Sequence, residues 1–386
     1  MNTALGAAVV IAGVALSGVG VFVALAAVVL GFCALFGFWF FEIRRPLKLS
    51  RFSENPVLGP IAEHWWESQA VFNPAAFVIG KKVHLLYRAM GNDGISRIGY
   101  ASSSDGIHFE RLPYPVYSPD RGFGIPRADR VYGPLSYSQT NYASGGGWGG
   151  VEDPRLVQMD DRAYMTFVAF DGWGFVRMAL TSMALPDFSN KKWQWKPAAF
   201  LSPPGEIHKN WVLFPEKING KYAVLHSITP KLAIEYVDSL DVFDDEDTYI
   251  HGSTRAGGRP EHWDKMVRGA GAPPIKTTEG WLLLYHGMDS AEAHIGYKVG
   301  AMLLDLNDPT KVLYRSVHPI LTPDAWYEND WKPGVIIATG AVVLGNDLIV
   351  YYGGGDKYVA AAKINLRDFL RKLKNDEHAV LTPVKI

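Results

Sequence analysis

The stretch SGGGWGGVEDPRL, residues 144–156, sets five glycines around Trp148 ahead of an acidic pair, Glu152-Asp153, closed by Pro154-Arg155. A carboxylic acid at Asp153 could protonate a leaving oxygen if burial raised its pKa. Arg88 and Arg155 could clamp hydroxyl or phosphate oxygens through paired hydrogen bonds. The same spacing also suits a turn capped by the two acids and paired with Arg155. The glycines are not a nucleotide phosphate loop, which needs GxxxxGK[ST] between a strand and a helix. No Lys-Ser/Thr follows here, and the next segment reads as a strand. A metal site has little support: neither HExxH nor CxxC occurs, and Cys33 is the one cysteine, so no intrachain disulfide forms.

These residues must be positioned by repeated elements. A phrase with an early proline, a polar turn and a β-rich apolar run occurs at 73–89, 152–169, 214–227 and 272–287, and again without proline at 338–354. Its anchors Pro74, Pro154, Pro215, Pro274 and Gly340 are 80, 61, 59 and 66 residues apart. Each phrase reads as a hairpin. Small-residue strands follow several of them, as in RIGYASSSDGIHFER (97–111) and AHIGYKVGAMLLDL (293–306). Only LRDFLRKLKN (366–375) reads as a helix in the soluble part. Five four-stranded repeats predict an all-β, five-bladed β-propeller, with long loops at 112–150 and 228–267. The repeat continues across residues 144–156, so that stretch is not a linker. SGGGWGG reads as a flexible lip that lets backbone approach a sugar, with Trp148 as a stacking platform or a plain loop aromatic.

Composition sets outer bounds. The 386-residue chain has a net charge of −1, which offers no footprint for nucleic acid. Aromatics make up 13% of it, suiting both β-rich cores and stacking on sugar rings. Residues 2–41 carry no charged side chain, and a helix of about 20 residues crosses a bilayer. The run predicts an N-terminal transmembrane helix, or a helical hairpin turning near residues 17–20. Arg44, Arg45, Lys48 and Arg51 follow it, so the positive-inside rule puts residues 52–386 on the cytoplasmic side. The domain reading is then a membrane anchor at 1–45, a connector at 46–69, the propeller at 70–366, and a C-terminal helix and tail at 367–386. The lipid bilayer is an expected partner.

Six motifs in order, NPAA…LLYRA, SSSDGIHF, GVEDPRL, LFPEKINGKY, GAGAPPIKTTEGWLLLYHG and YYGGGD, resemble glycoside hydrolase family 130 over residues 70–366. The resemblance implies a five-bladed propeller that cleaves β-mannosides, by phosphorolysis to mannose 1-phosphate or by hydrolysis. It implies Asp153 as general acid, with the proton passing through a sugar hydroxyl. It implies Asn73 and Arg88 holding the mannosyl unit and Asp356 binding its hydroxyls. Lys209, Asn210, Arg268, His286 and Tyr297 match its phosphate-site motifs. No cofactor is implied, only inorganic phosphate as a co-substrate beside an oligosaccharide or glycoside.

The family pattern departs at Ser227, which stands where phosphorylases carry an arginine that contacts phosphate. One charge-assisted hydrogen bond is worth about 1.5–3 kcal/mol, so the loss predicts phosphate binding weakened roughly tenfold to a hundredfold. Lys231 or Arg255 could compensate. Hydrolysis would need a second carboxylate about 6.5–9.5 Å from the first. Glu216 and Glu328 are the candidate bases, and each also suits a structural role. A glycosyltransferase that builds a mannose-containing glycan, and a non-catalytic glycan-binding propeller, are the alternative readings.

Overall fold

The computed structural model describes residues 47–119, 123, 146–172, 175–252, 257–289 and 296–375, together with Leu30. The chain divides into two compact units, Met1–Pro46 and Leu47–Ile386. All that follows concerns the second.

After a two-residue strand β1 (Ser50–Arg51), the first sheet runs from β2 (Ala70–Ile79) through β3 (Lys82–Met90), β4 (Ile95–Ser103) and a short β5 (Glu110–Arg111). It continues through β6 (Gly149–Met159), β7 (Arg162–Phe170), β8 (Val176–Ala184) and β9 (Ala199–Phe200), with α1 (Leu185–Ser189) between the last two. The second sheet is β10 (Val212–Leu213), β11 (Tyr222–Ser227) and β12 (Ala233–Val237). The third holds β13 (Met266–Ala270), β14 (Ile275–Lys276), β15 (Trp281–Met288), β16 (Lys298–Leu304) and β17 (Val312–Arg315). The fourth holds β18 (Ile336–Leu344), β19 (Asp347–Gly354) and β20 (Tyr358–Asn365), with β1 on its edge. The chain ends its described part in α2 (Leu366–Asn375).

The hairpins follow from local chemistry. Asn219-Gly220 takes φ of 51° and 83° between the bridged Ile218 and Lys221, the two positive values that a tight hairpin turn needs. Strands β3 and β19 are buried along almost their whole length because both their faces are covered. Apolar clusters join each sheet segment to its neighbours. Leu86, Ile98, Met165 and Phe167 pack β2–β4 on β6–β8, and Leu85 and Tyr87 pack the other face of β3 on Tyr351 and Val359. The helix α2 adds Phe369, Leu370 and Leu373 to the cluster between the third and fourth sheets. Its first turn carries Asp368 and its last turn Lys372 and Lys374, which suits the helix dipole.

Three buried carboxylates recur at matching places. Glu67 accepts from Tyr87 Oη at 2.9 Å and pairs with Arg111 at 3.3 Å. Asp264 accepts from Tyr285 Oη at 2.7 Å, Arg315 at 2.6 Å and Arg259 at 2.9 Å. Glu328 accepts from Tyr352 Oη at 2.8 Å and Arg51 Nε at 2.8 Å. Each tyrosine stands at the same point of its repeat, directly before Arg88, His286 and Gly353. These ionic triads fasten outer strands or the N-terminal segment to the hairpins.

Two expectations are corrected. The strands do not form five separate four-stranded blades: among the described residues they hydrogen-bond into four sheets, of eight, three, five and four strands, and no closed or propeller-like sheet results. The first two repeats share one sheet because β4 and β6 pair in parallel at Ile95–Gly149 and Ser96–Gly150. The fold is therefore all-β in four sheets with short helices. The transmembrane helix is also corrected. Among the described residues no helix is long and apolar enough to cross a membrane, and the charged ten-residue α2 is the longest. Residues 1–29 and 31–46, where the anchor was expected, lie outside the described residues. The bilayer partner and the cytoplasmic placement rested on that helix and fall with it.

Candidate active site

Four of the strands that start the repeats are bulged, three of them at the repeat's anchor residue. The register shifts between Phe72 and Ala75 in β2, Glu152 and Arg155 in β6, Val267 and Gly269 in β13, and Ala338 and Gly340 in β18. At the first two the bulge holds Asn73-Pro74 and Asp153-Pro154. Proline donates no N–H, so it sits where the ladder is already interrupted. A bulge also re-aims the side chains it carries. Asn73, Asp153, Asn210 and Asp356 all take left-handed backbone, with φ of 46°, 50°, 64° and 51°. Asn and Asp tolerate that region better than other side chains, and such strain tends to mark functional sites.

The bulges bring a polar cluster together. Asp153 Oδ1 accepts from Asn73 Nδ2 at 2.7 Å and from Arg88 Nη1 at 3.2 Å. Arg88 also donates to Glu152 Oε1 at 2.9 Å and to Ser96 Oγ at 2.9 Å, and stacks over the Phe72 ring. Lys209 donates to the other oxygen of Glu152 at 3.0 Å. Arg155 donates to the Asp153 carbonyl at 2.6 Å, the Gly271 carbonyl at 3.1 Å and Asn210 Oδ1 at 2.8 Å. Asn210 Nδ2 passes on to the Arg268 carbonyl at 2.7 Å, and Arg268 Nε donates to Tyr297 Oη at 3.2 Å. One hydrogen-bonded chain thus links Asn73, Arg88, Asp153, Asn210, Arg268 and Tyr297.

Electrostatics decide the ionisation states. Burial pushes the Asp153 carboxyl up, but Arg88, Arg155 and Lys209 outweigh it, and the group is held down at about 2. Asp153 is an anion in the unliganded protein, opposite to the raised acid that burial alone would give. Burial, seconded by Arg155, pulls His286 down to about 3, so the ring is neutral. Its Nε2 accepts the Ala338 N–H at 2.8 Å, which leaves the proton on Nδ1.

The buried Asn73 Oδ1 has no protein hydrogen-bond partner, leaving an acceptor in the cluster. The room for it comes from Gly353, where a Cβ would lie 2.1 Å from that oxygen. Asp356 lies three residues on and pairs with Lys332 at 3.5 Å. Trp148 is half-buried, and its backbone N–H donates to the Gly94 carbonyl at 2.7 Å. The lip glycines have a packing reason. Gly150 sits at φ +113°, and a Cβ there would lie 2.2 Å from the Ser96 carbonyl oxygen.

The carboxylates of the two candidate bases bond outside this cluster. Glu328 is fully buried, and its oxygens accept from Arg51, Tyr352, Asp324 N and Ala325 N. Glu216 pairs with Lys276 on a surface cleft lined by the hairpin-turn residues Gly345 and Asn346 and by α2, at the end of the hairpins away from the bulges. Ser227 ends β11, two residues past the Val212–Leu225 pair, where the register of β11 with β12 shifts. Its hydroxyl donates to the Thr229 carbonyl at 2.8 Å. Lys231 is exposed, and Arg255 lies outside the described residues. Ser96, Gly353 and Lys332 were not singled out from sequence, and Glu152 was named only as one of an acidic pair.

Residues 140–375 match a family model described as beta-1,4-mannooligosaccharide phosphorylase. A 1,2-beta-oligomannan phosphorylase of Thermoanaerobacter sp. (strain X514) is 36% identical, across 83% of this chain and 99% of its own. The solved beta-1,2-mannobiose phosphorylase of Listeria innocua, in complex with beta-1,2-mannobiose, aligns with a TM-score of 0.62 at 26% identity, covering 84% of this chain and 99% of that one. A further structure comes from work describing glycoside hydrolases within the same family of mannoside phosphorylases, which target beta-1,2 linkages in Candida mannan. It aligns with a TM-score of 0.63 at 25% identity, over 84% of this chain and 95% of that one.

Proposed function

The chain belongs to glycoside hydrolase family 130, and from that premise we propose that it cleaves β-1,2-mannosidic bonds by phosphorolysis, with Asp153 as the acid. It is an enzyme of the glycosidase and glycoside phosphorylase type, acting on β-mannosides. The family's phosphorylases take phosphate as co-substrate and need no further cofactor. The β-1,2 linkage is taken from the Thermoanaerobacter and Listeria relatives rather than from the β-1,4 description of the family model. The relatives offer nothing for sugar transfer or for a non-catalytic role, and neither reading is carried forward.

In the proposed step, an oxygen of hydrogen phosphate attacks the anomeric carbon from the face opposite the scissile bond. That C–O bond breaks. The leaving oxygen takes a proton that Asp153 releases through a sugar hydroxyl. Mannose 1-phosphate and a shortened sugar result. The proton lost by the attacking phosphate returns through solvent to Asp153, so the cycle balances. Arg88 fixes the acid. Asn73 Oδ1 accepts from a sugar hydroxyl, Asp356 binds others, and Trp148 flanks the sugar. Lys209, Asn210, Arg268 and Tyr297 meet the phosphate, and His286 offers it a neutral N–H rather than a charge.

The observation that carries this reading is the sharing of Arg155 between Asp153 and the Asn210–Arg268 chain, which supports an anion-binding role for these residues. Water as acceptor would need a basic carboxylate, and neither Glu328, saturated with donors, nor Glu216, at the turn end, is placed to serve. Arg155, Lys209 and Arg268 supply the positive charge that Ser227 does not. Arg268→Ala is expected to raise KM for phosphate about tenfold to a hundredfold. KM for β-1,2-mannobiose should move by less than about threefold, since that contact is lost on the acceptor side alone. Equal changes in both constants, or none, would remove Arg268 from the phosphate site.

A further inference from the structure

We propose that an anion bound among Arg155, Lys209 and Arg268 draws a proton from solvent onto Asp153, so that the acid is armed only when its nucleophile is in place. The inference rests on the assignment of that cation group to phosphate and adds a coupling between the two halves of the site.

The groups facing Asp153 can be named strand by strand. Its own strand supplies Glu152 and Arg155, β2 supplies the neutral Asn73, and β3 supplies Arg88. The segment before β10 supplies Lys209, and β15 supplies the neutral His286. Lys332 and Asp356, from the fourth sheet's side, pair with each other and offset. Three cations therefore face two carboxylates, and the excess of positive charge keeps Asp153 ionised.

A dianion seated on the far side of Arg155 and Lys209 offsets that excess. A nearby like charge disfavours the ionised form of Asp153, which then takes up a proton. The geometry makes the exchange direct: Arg155 touches both the Asp153 backbone and Asn210, and Lys209 touches Glu152, whose other oxygen holds Arg88. Without the anion Asp153 stays charged and has no proton to give. Water then finds the acid disarmed, which favours phosphorolysis over hydrolysis without a steric barrier.

Linkage makes this measurable, since any ligand that raises an acid's pKa must bind with proton uptake. Sulfate is the probe, because it keeps its charge through the pH range used, whereas phosphate titrates. Calorimetry at pH 5 in buffers of different ionisation enthalpy is expected to show uptake of roughly half to one proton per sulfate bound by the wild-type protein. Between the free and bound pKa values, sulfate affinity should strengthen by up to about tenfold for each pH unit lowered. Asp153→Asn should bind sulfate at least as tightly at pH 7, with no uptake and a flat profile. Sulfate affinity independent of pH from about 4.5 to 7.5 in the wild type would overturn the coupling while leaving the anion site standing. Uptake that persists in Asp153→Asn would assign the proton to His286 and overturn it too. No sulfate binding at all would remove the anion site, and with it both readings.

Discussion

Asp153→Asn is expected to lower kcat for phosphorolysis of β-1,2-mannobiose by about 10²–10⁴-fold, the range for loss of a positioned general acid. KM should change little, since the amide is nearly the size of the carboxyl. The scaffold should survive. Arg88 keeps Glu152 and Ser96, and Arg155 keeps the Asp153 carbonyl and Asn210. A second substrate separates chemistry from damage. An aryl β-mannoside whose phenol leaves readily needs no proton, so its rate should fall by less than about tenfold. Equal losses on both substrates would mean that Asp153 positions the sugar and does not protonate it. The variant also has a pH signature. Because the folded carboxyl is held at about 2, its contribution to stability is present above the ordinary carboxylate range and is lost as pH falls toward that value. Wild type should therefore lose stability relative to Asp153→Asn on acidification below about pH 4.

Asp264→Ala is expected to be the most damaging single change away from the site, costing about 3–5 kcal/mol. Asp264 is fully buried and accepts from Arg315, Arg259 and Tyr285. Removing it leaves Arg315, itself 4% exposed, without its counter-ion, and an unpaired buried charge carries the full desolvation penalty. Burial raises the Asp264 carboxyl, yet Arg315 and Arg259 bring it below its usual range, so the triad's contribution is also lost in acid. A shift in the urea midpoint at unchanged slope would measure the effect. Replacing the group together, as Asp264→Leu with Arg315→Met and Tyr285→Phe, should recover much of the loss, because an apolar substitute needs no counter-charge. A single variant within about 1 kcal/mol of wild type would show the triad to be dispensable.

Membership of the family was legible because six motifs stand in fixed order, each tied to a strand or a turn. The sheet arrangement was not. Repeat spacing reports how many hairpins there are, but not which edges share hydrogen bonds. The parallel pair that joins the first two repeats depends on Gly150 lying against Ser96, a contact 54 residues apart in sequence. The apolar run at 2–41 suggested an anchor from composition alone, and no described helix reaches the length that a span requires. The charge state of Asp153 was hidden for a related reason. Burial was foreseeable, but the outcome turns on Arg88 and Lys209, which arrive from 65 residues before and 56 residues after it. Glu216 and Glu328 look alike in sequence, as acids in loops near aromatics. Packing separates them: one is saturated with donors in the interior, and the other is paired with a lysine on the surface. Ser227 was visible as a departure, but the bond of its hydroxyl to the Thr229 carbonyl was not.

The most direct measurement is a product analysis of the purified protein on β-1,2-mannobiose at neutral pH, with and without inorganic phosphate. With phosphate, mannose 1-phosphate and mannose should appear in equal amounts, and without it neither should form. Free mannose released at a similar rate in both mixtures, with no sugar phosphate, would contradict phosphorolysis and the role given to the Arg155, Lys209 and Arg268 group.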